Sequence, residues 1–299
     1  IEFCELHSAL FLKIIKLDSM SFKLAFASSF RHVRIASNMF ILGLLLVVIV
    51  GSAPGHSGSL SAASSRIVGG LPANNLDFPF VVSLVSEGYH ICGGSIINQR
   101  TIITAAHCLE FTTPRLMQVH VGTKSRALDK GMLVPVEAIH GHELWTEDTM
   151  DYDIGLVRLA KDLVFGATVQ PIQLPQPHDD DVRSGSLATL AGWGLLTSLG
   201  PQAEELRAAR VPIFNQMLCN RLLDGRVTKR MICAGYRKGG IDACQMDSGG
   251  PLVIQKKLIG ITSWGIGCAL PNKPGVYTRV SALMPWVREL LASEYNEYI

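Results

Sequence analysis

The sequence has little net charge and few charged residues. Lys and Arg number 27 against 25 Asp and Glu, giving a formal net charge of +2, and charged residues make up 17% of the chain. No basic excess is available to neutralise phosphates, which argues against a nucleic-acid-binding protein. A charged share below the usual ~25% also argues against a charge-rich disordered chain. The 28 Gly and 14 Pro follow no period, so collagen and solenoid folds are excluded.

No apolar run is long enough to span a bilayer comfortably. The run Met39–Val50 has about the length of a signal-peptide core, and small residues suited to cleavage follow it. We therefore interpret residues 39–53 as a signal peptide and residues 1–38 as an uncertain leader or upstream sequence. Translation from Met39 predicts a secreted, extracellular protein. Translation from Met20 instead allows an uncleaved membrane anchor.

A segment without aromatic residues follows the apolar run. Residues 54–66 (PGHSGSLSAASSR) are rich in Ser, Gly and Ala. Such a segment cannot bury enough apolar surface to order itself, so we expect a flexible linker. The linker ends in a single basic residue, Arg66.

The cysteines lack the spacing of a zinc site. No C-x-x-C or H-x-x-x-H pattern occurs, and six of the seven cysteines follow residue 66. An even number behind a secretory signal predicts three disulfides, for which 15 pairings exist. The odd one, Cys4, lies in the leader.

The remaining chain, 67–299, reads as short β-runs separated by Gly and Pro. The runs are 80–85, 101–105, 116–121, 154–159, 187–191 and 252–264, the last with a hairpin tip at Lys256-Lys257. This pattern predicts an all-β sandwich or barrel. Only the end is predicted to be helical, where Val287, Leu290 and Leu291 share a face and Pro285 suits a first turn. The chain lacks the βαβ alternation of a doubly wound nucleotide-binding fold.

Three short motifs carry residues suited to nucleophilic catalysis. Ser248 lies in MDSGGP, where the following glycines allow a tight turn that exposes the hydroxyl. A serine needs a base, and His107 in TAAHC can supply one. Asp153 in DYDIGLVRL can orient the imidazole. The chain order His, Asp, Ser is that of the chymotrypsin arrangement and not that of an α/β-hydrolase, whose G-x-S-x-G motif is absent.

Together with their flanks, these motifs resemble those of the trypsin-like (chymotrypsin-fold) serine proteases, and in particular invertebrate secreted trypsins. The other matching motifs are IVGG (67–70), CGGS (92–95), AGWG (191–194), SWG (263–265) and PGVYT (274–278). The resemblance covers nearly all of 67–299, the expected protease domain. It implies two antiparallel six-stranded β-barrels with a short C-terminal helix. It also selects the disulfides Cys92–Cys108, Cys219–Cys233 and Cys244–Cys268.

The resemblance implies a role for each residue of the site. His107 is the general base, Asp153 its orienting carboxylate and Ser248 the nucleophile, with the backbone amides of Met246 and Ser248 as the oxyanion hole. Asp242 is the floor of the primary specificity pocket. The pocket walls are Gly265 and Gly275, and the strip that pairs with extended substrate includes Ser263 and Gly265.

These roles predict a peptidase that cuts polypeptides after basic residues. A buried carboxylate at Asp242 needs a cation, which a substrate Arg or Lys supplies. Ala243 replaces the serine common in trypsins. Because a compact ammonium needs extra acceptors whereas guanidinium pairs bidentately, we expect Arg to be preferred over Lys.

The resemblance also gives the linker a purpose. Cleavage after Arg66 would free the α-amino group of Ile67, which would pair with Asp247 and order the site. Residues 54–66 are thus an activation propeptide and the chain a zymogen, activated by a trypsin-like protease or by itself.

Two departures from the family lead to further expectations. Met246 stands where the family nearly always has Gly, so its side chain could strain the oxyanion amide and crowd bulky partners. It is the only support for an alternative function, a catalytically weak homologue acting as a binding or cofactor module. The stretch Thr123–Gly131, in the region of the vertebrate calcium loop, offers one acid, Asp129. We expect no metal, no other cofactor and a monomer.

Overall fold

The structure is a computed structural model that describes residues 70–177, 179 and 182–296, all within a unit spanning 61–299. The predicted signal peptide, the propeptide and the Arg66–Ile67 bond lie outside the described residues. Strands dominate, and they form two antiparallel sheets. The strands are β1 (Leu71–Pro72), β2 (Val81–Ser86), β3 (Tyr89–Ile96), β4 (Thr101–Thr104), β5 (Met117–Val121), β6 (Met132–Gly141), β7 (Gly155–Leu159), β8 (Leu187–Gly192), β9 (Arg207–Pro212), β10 (Met231–Ala234), β11 (Pro251–Ile254), β12 (Lys257–Trp264) and β13 (Gly275–Arg279).

The first sheet is a closed barrel with strand order β2-β3-β4-β7-β6-β5. Closure follows because β2 pairs with both β3 and β5. Every residue of β4 and β7 is buried. Leu84, Ile103 and Leu156 are fully enclosed in the core. A closed barrel leaves no unpaired strand edge.

The second sheet has the order β1-β9-β8-β11-β12-β13-β10. It consists of six longer strands and the two-residue β1. Strands β9 and β10 meet at one end, where Ile213, just after β9, forms a bridge with Ala234, the last residue of β10. The N–H of Gly235 also donates to the carbonyl of Pro212 (3.0 Å). The fold class predicted from the sequence, all-β with two antiparallel barrels, is confirmed.

The last hairpin departs from its predicted position by one residue. The turn residues are Gln255 and Lys256, with φ of 49° and 64°, and Lys257 already begins β12. Two left-handed residues in succession form the turn whose twist matches paired strands. The prediction of a tip at Lys256-Lys257 was therefore wrong by one position.

The helices differ more from the prediction. A short helix α1 (Gln216–Leu222) was not predicted, although Asn215 caps it by accepting from the Leu218 N–H (3.1 Å). The C-terminal helix α2 (Val280–Asn296) begins before Pro285, which lies inside it on the exposed side. Val287 is buried and both Leu290 and Leu291 pack against the core, as predicted.

Among the residues that the structure describes, no helix combines the length and apolar character that a bilayer-crossing helix needs.

The six cysteines after residue 66 form three disulfides. These are Cys92–Cys108, Cys219–Cys233 and Cys244–Cys268, with S–S distances of 2.00, 1.97 and 2.12 Å. This is the pairing that the family resemblance implies.

Candidate active site

Two neighbouring strands of the first barrel bring His107 and Asp153 together. Thr104 at the end of β4 pairs with Gly155 at the start of β7. His107 follows β4 in a 3-10 turn (Ala106–Leu109), and Asp153 precedes β7. The imidazole Nδ1 lies 2.8 Å from Asp153 Oδ2, and the His107 backbone N–H donates to Oδ1 (3.0 Å). Both carboxylate oxygens therefore fix the histidine.

The second sheet also holds Asp153, which is 1% exposed. The hydroxyl of Ser263 donates to its Oδ2 (2.5 Å), and the hydroxyl of Thr278 donates to its backbone carbonyl (2.5 Å). The carboxylate of Asp153 therefore accepts from Ser263 of the second sheet as well as contacting the imidazole, and these contacts fix its orientation.

The environment of His107 favours its protonated form. Burial on its own lowers the pKa of His107, but the charge and hydrogen bond of Asp153 outweigh burial. The pKa therefore lies above its ordinary value. An imidazole held in this way can take a proton and remain stabilised as imidazolium.

Ser248 lies in a turn that is hydrogen-bonded both to the first barrel and to the second sheet. The carbonyl of Ser248 accepts from the Gly93 N–H in β3 (2.7 Å), and the Gly249 N–H donates to the Thr262 carbonyl (2.8 Å). A Cβ on Gly249, whose φ is 76°, would lie 2.5 Å from the Gly93 carbonyl oxygen and 3.3 Å from the Ala105 N. The turn thus packs against the segment that leads into His107, and only glycine permits this approach.

Met246 adopts a backbone conformation that favours glycine. Its φ is 72° and its side chain is 40% exposed. The carbonyl of Met246 accepts from His90 Nε2 (2.9 Å), whose Nδ1 in turn accepts from the Ser83 hydroxyl (2.7 Å). Burial lowers the pKa of His90 to about 4, so the ring is neutral at neutral pH and keeps this tautomer. A buried histidine therefore orients the peptide group between Met246 and Asp247.

Asp242, Gly265 and Gly275 lie close together. The carboxylate accepts from the Ala243 N–H (2.9 Å) and the Ala269 N–H (3.2 Å). A Cβ on Gly275 would lie 2.6 Å from Asp242 Oδ1, and one on Gly265 would lie 4.0 Å from the Gly275 Cα. Burial raises the pKa of Asp242 to about 7, although its two backbone donors act in the opposite direction.

Asp247 is a second buried carboxylate next to Ser248. Its Oδ1 accepts from the Gly194 N–H (2.8 Å) and its Oδ2 from the Cys244 N–H (3.0 Å). Burial raises the pKa of Asp247 to about 6, against these two donors. The other two residues predicted to act in activation, Arg66 and Ile67, lie outside the described residues.

Among the described residues, one group of His, Cys and acidic side chains is close enough to share a metal ion: Cys92, His107 and Cys108. Both cysteines are already joined in a disulfide. A metal is bound by the thiolate, which a disulfide cannot provide, so this group is a poor metal site.

Several residues around the site were missed by sequence reasoning. The hydroxyls of Ser263 and Thr278 hold Asp153, and His90 holds Met246. Sequence reasoning assigned Ser263 a role only through its backbone, and Thr278 appeared there only as the last residue of the PGVYT motif. His90 does lie two residues before the CGGS motif, the one signal that could have drawn attention to it.

Comparisons with known proteins agree with this geometry. The family model described as Trypsin matches residues 67–287. The chain is 42% identical over 231 residues to Trypsin 5G1 of Aedes aegypti, covering 76% of this chain and 86% of that protein. It is 43% identical over 224 residues to a trypsin of Simulium vittatum, covering 73% and 90%. It is 40% identical over 226 residues to a vitellin-degrading protease of Bombyx mori, covering 75% and 85%.

Proposed function

The chain belongs to the trypsin family and is a serine endopeptidase, and from that premise we propose that it cleaves polypeptides after Arg, and less well after Lys. We propose further that it is secreted as a zymogen and activated by cleavage after Arg66. The observation that carries the specificity is the buried carboxylate of Asp242 behind Gly275.

The chemistry assigns one role to each residue of the triad. Ser248 attacks the scissile carbonyl while His107 Nε2 takes the hydroxyl proton, and His107 later gives that proton to the leaving amine. Asp153 fixes the imidazole tautomer and stabilises the imidazolium. The hydrogen bond between His107 Nδ1 and Asp153 supports this assignment.

The tetrahedral intermediate needs donors for its oxyanion. The backbone N–H groups of Met246 and Ser248 are proposed to supply them, and one such donor contributes roughly 2.7–4 kcal/mol. The hydrogen bond from His90 to the Met246 carbonyl supports a fixed backbone orientation at Met246. The side chain of Met246 is expected to hinder large protein inhibitors more than small substrates.

Asp242 is proposed to bind the substrate residue before the scissile bond. Because burial raises the pKa of Asp242, a cation beside the carboxylate would stabilise its ionised form. Ala243 offers no side-chain hydroxyl, so a Lys ammonium finds fewer acceptors than its three donors require. An Arg guanidinium pairs with both carboxylate oxygens, so it is less affected by the missing hydroxyl than an ammonium is. Ser263 and Gly265 are proposed to pair with the extended substrate backbone.

Asp247 is proposed to bind the new α-amino group of Ile67 after cleavage. A buried carboxylate is costly when ionised and is stabilised by a cationic partner. The same carboxylate accepts from Gly194 and Cys244, so its orientation is coupled to the backbone beside Ser248. The activator is a trypsin-like protease or the enzyme itself.

Secretion is proposed from the predicted signal peptide at 39–53 and from the three disulfides, which form in oxidising compartments. A start at Met20 would instead leave the protein anchored to the membrane. The domain is proposed to act as a monomer without a metal.

The test begins with protein cut after Arg66, with Ile67 verified as the new N-terminus. A fluorophosphonate probe should label Ser248, and peptide amides that differ only in Arg or Lys should be hydrolysed with Arg favoured. The matched variant Ser248→Ala should neither be labelled nor turn over substrate. No labelling of correctly cut protein would contradict the triad, and faster hydrolysis of the Lys amide would contradict the specificity.

A further inference from the structure

A buried carboxylate lies two residues before Asp153 and takes no part in the proposed chemistry. Asp151 is 6% exposed. Its Oδ1 accepts from the Thr228 hydroxyl (3.0 Å) and from Arg230 Nε (3.0 Å), while its Oδ2 pairs with a terminal nitrogen of Arg230. The guanidinium of Arg230, in the loop before β10, thus binds both carboxylate oxygens of Asp151. This contact links the second sheet to the first barrel.

The backbone around Asp151 is in a conformation that needs support. Met150 and Tyr152 have φ of 52° and 57°, in the left-handed region that bulky residues rarely adopt. Such backbone persists only where surrounding contacts hold it. Asp151 Oδ1 accepts from the Tyr152 N–H (2.9 Å), and the Arg230 guanidinium lies 4.2 Å above the Tyr152 ring. The turn is therefore held by two contacts, the hydrogen bond from the Tyr152 N–H to the Asp151 carboxylate and the stacking of the Arg230 guanidinium on the Tyr152 ring.

The braced turn runs directly into Asp153, whose carboxylate must keep its distance to His107. Other contacts from the second sheet, from Ser263 and Thr278, touch Asp153 itself. The contact of Arg230 with Asp151 instead acts on the backbone that carries Asp153.

We propose that Asp151 and Arg230 are positioning residues, whose bidentate pair holds the turn at Met150–Tyr152 and so keeps the Asp153 carboxylate in register with His107. The inference rests on the proposed role of His107 and Asp153 in catalysis. A displacement of a catalytic group by about 1 Å can cost up to about a hundredfold in rate, so a distant pair can have a large effect.

The charges around the pair are consistent with this role. Burial alone would raise the pKa of Asp151, but hydrogen bonds from Arg230, Tyr152 and Thr228 outweigh it and the pKa is lowered. The hydrogen bond that Arg230 donates to Asp151 correspondingly raises the pKa of Arg230. Both partners are charged throughout the neutral pH range, so the ion pair between Asp151 and Arg230 does not change with pH in that range.

The experiment compares Arg230→Gln, Asp151→Asn and Arg230→Lys in the cleaved protein. We expect kcat per titrated active site to fall about tenfold in the first two, with KM within about twofold. Arg230→Lys should recover part of the loss, because Lys restores the charge without the bidentate grip. Asp151→Asn removes the buried acid and leaves unpaired only Arg230, whose side chain is 31% exposed. It therefore remains informative if Arg230→Gln folds poorly.

A matched control is Lys124→Gln. Lys124 also pairs across to a segment of the other sheet, with Glu205 at 3.2 Å, but both side chains are about half exposed. Its kcat should stay within about twofold of the parent value, as expected for an exposed ion pair. Counting titrated sites removes any loss that comes only from unfolded protein.

A second readout does not depend on turnover. The low-field proton resonance of the His107 Nδ1–H, hydrogen-bonded to Asp153, should shift or broaden in Arg230→Gln but not in Lys124→Gln. Unchanged kcat and an unchanged resonance in both Arg230→Gln and Asp151→Asn would overturn the proposal. A parent protein that shows the resonance but neither labels nor hydrolyses would instead contradict the proposed function.

Discussion

Met246 occupies a left-handed backbone position at the site where the oxyanion is proposed to bind. Glycine adopts φ near 72° without steric cost, whereas an L-residue there costs roughly 1 kcal/mol or more. The chain keeps the loop conformation despite this, with the Met246 carbonyl held by His90. The residue therefore affects the surface of the cleft more than the path of the backbone.

The first prediction separates bulk from backbone strain at this position. Met246→Gly should raise the melting temperature and bind protein inhibitors of trypsin at least about tenfold more tightly, since both strain and bulk are removed. Met246→Ala removes the bulk and keeps the left-handed cost, so it should recover inhibitor binding without the gain in stability. Thermal unfolding and inhibition constants measure the two effects. Nanomolar inhibition of the parent protein would contradict the steric argument.

The second prediction concerns Ala243. Ala243→Ser adds an acceptor beside Asp242 and should raise kcat/KM for the Lys amide by about three- to tenfold, leaving the Arg amide within about twofold. Ala243→Gly changes the volume without adding a hydroxyl and should leave the ratio unchanged. An equal gain for both amides in Ala243→Ser would show that the hydroxyl does not discriminate between the two cations.

The third prediction follows from the pKa of about 7 at Asp242. Because the pKa of Asp242 in the folded protein lies above its ordinary value of 3.8, the contribution of this group to stability is fully present below about pH 3.8. That contribution is lost progressively as pH rises from 3.8 through 7. A cationic ligand such as benzamidine favours the ionised form. Its affinity should fall by up to about tenfold for each pH unit below 7, and binding at pH 6 should release a proton.

Calorimetry in buffers of different ionisation enthalpy measures this proton release. Asp242→Asn tests whether benzamidine binding requires the carboxylate. That variant should lose benzamidine binding altogether. Equal benzamidine affinity of the parent protein at pH 5.5 and pH 8 would mean that Asp242 does not titrate in the pocket.

At the scale of elements, strands were easier to predict than helices. The strand β7 was expected as Ile154–Leu159 and forms as Gly155–Leu159, because its apolar run is continuous and short. Helix α1 escaped notice although Asn215 precedes it and Gly225 follows it. Seven residues give too few turns for a helical period to stand out, so the cap was the only usable signal.

Pro285 illustrates how a local rule can misplace a boundary. Proline suits the first turn of a helix, so the sequence placed the start of α2 near it. The helix instead begins at Val280, and the exposed Pro285 lies inside it. Val280, Leu283 and Met284 are buried before the proline, so burial of this turn outweighs the lost backbone hydrogen bond.

The loop Thr123–Gly131 is fixed by contacts with the segment 203–206. The carbonyl of Lys124 accepts from the Leu206 N–H (2.6 Å) and from Trp193 Nε1 (2.8 Å), and the Arg126 N–H donates to the Glu204 carbonyl (2.8 Å). These hydrogen bonds, two between backbone groups and one from the Trp193 side chain, hold the loop in place without an ion.

The fourth prediction is that calcium does not stabilise this loop. A calcium site needs about six to eight oxygen ligands, several of them carboxylates. The loop offers Asp129, whose carboxylate lies 3.8 Å from the Lys130 ammonium. Millimolar calcium and excess EDTA should therefore give melting temperatures within about 1 °C of each other, well under the shift that 1 kcal/mol produces. A rise of several degrees with calcium, but not with magnesium, would contradict this.

At the scale of the whole molecule, the site depends on contacts between sheets that no local pattern reveals. The motifs led us to predict His107, Asp153 and Ser248 as the triad because each has a distinctive neighbourhood in the chain. Ser263 and Thr278 lie 110 and 125 residues from Asp153, yet both bind it. Such long-range hydrogen bonds are set by the packing of the two sheets, and the sequence of one chain does not record them.

The last prediction concerns activation, in which cleavage after Arg66 would act on the buried carboxylate of Asp247 beside Ser248. Asp247 is 3% exposed and its pKa is about 6, so at neutral pH it is ionised at a cost that a cation would offset. The α-amino group of Ile67, with an ordinary pKa of about 7.7–8.0, can provide that cation once the chain is cut. Arg66→Gln should therefore remain latent when treated with a trypsin-like activator, with less than about 1% of the activity of the cut parent protein.

A matched control changes the route of cleavage and keeps its product. Residues 62–66 are replaced by the recognition sequence of an unrelated protease that leaves Ile67 as the first residue. Cutting this variant should restore full activity, because the free amino group and not Arg66 itself is what Asp247 requires. Full activity of uncut Arg66→Gln would refute the zymogen, since Asp247 would then order the site without a new N-terminus. Failure of the correctly cut control would refute the pairing of Ile67 with Asp247, and latency would have to come from another segment.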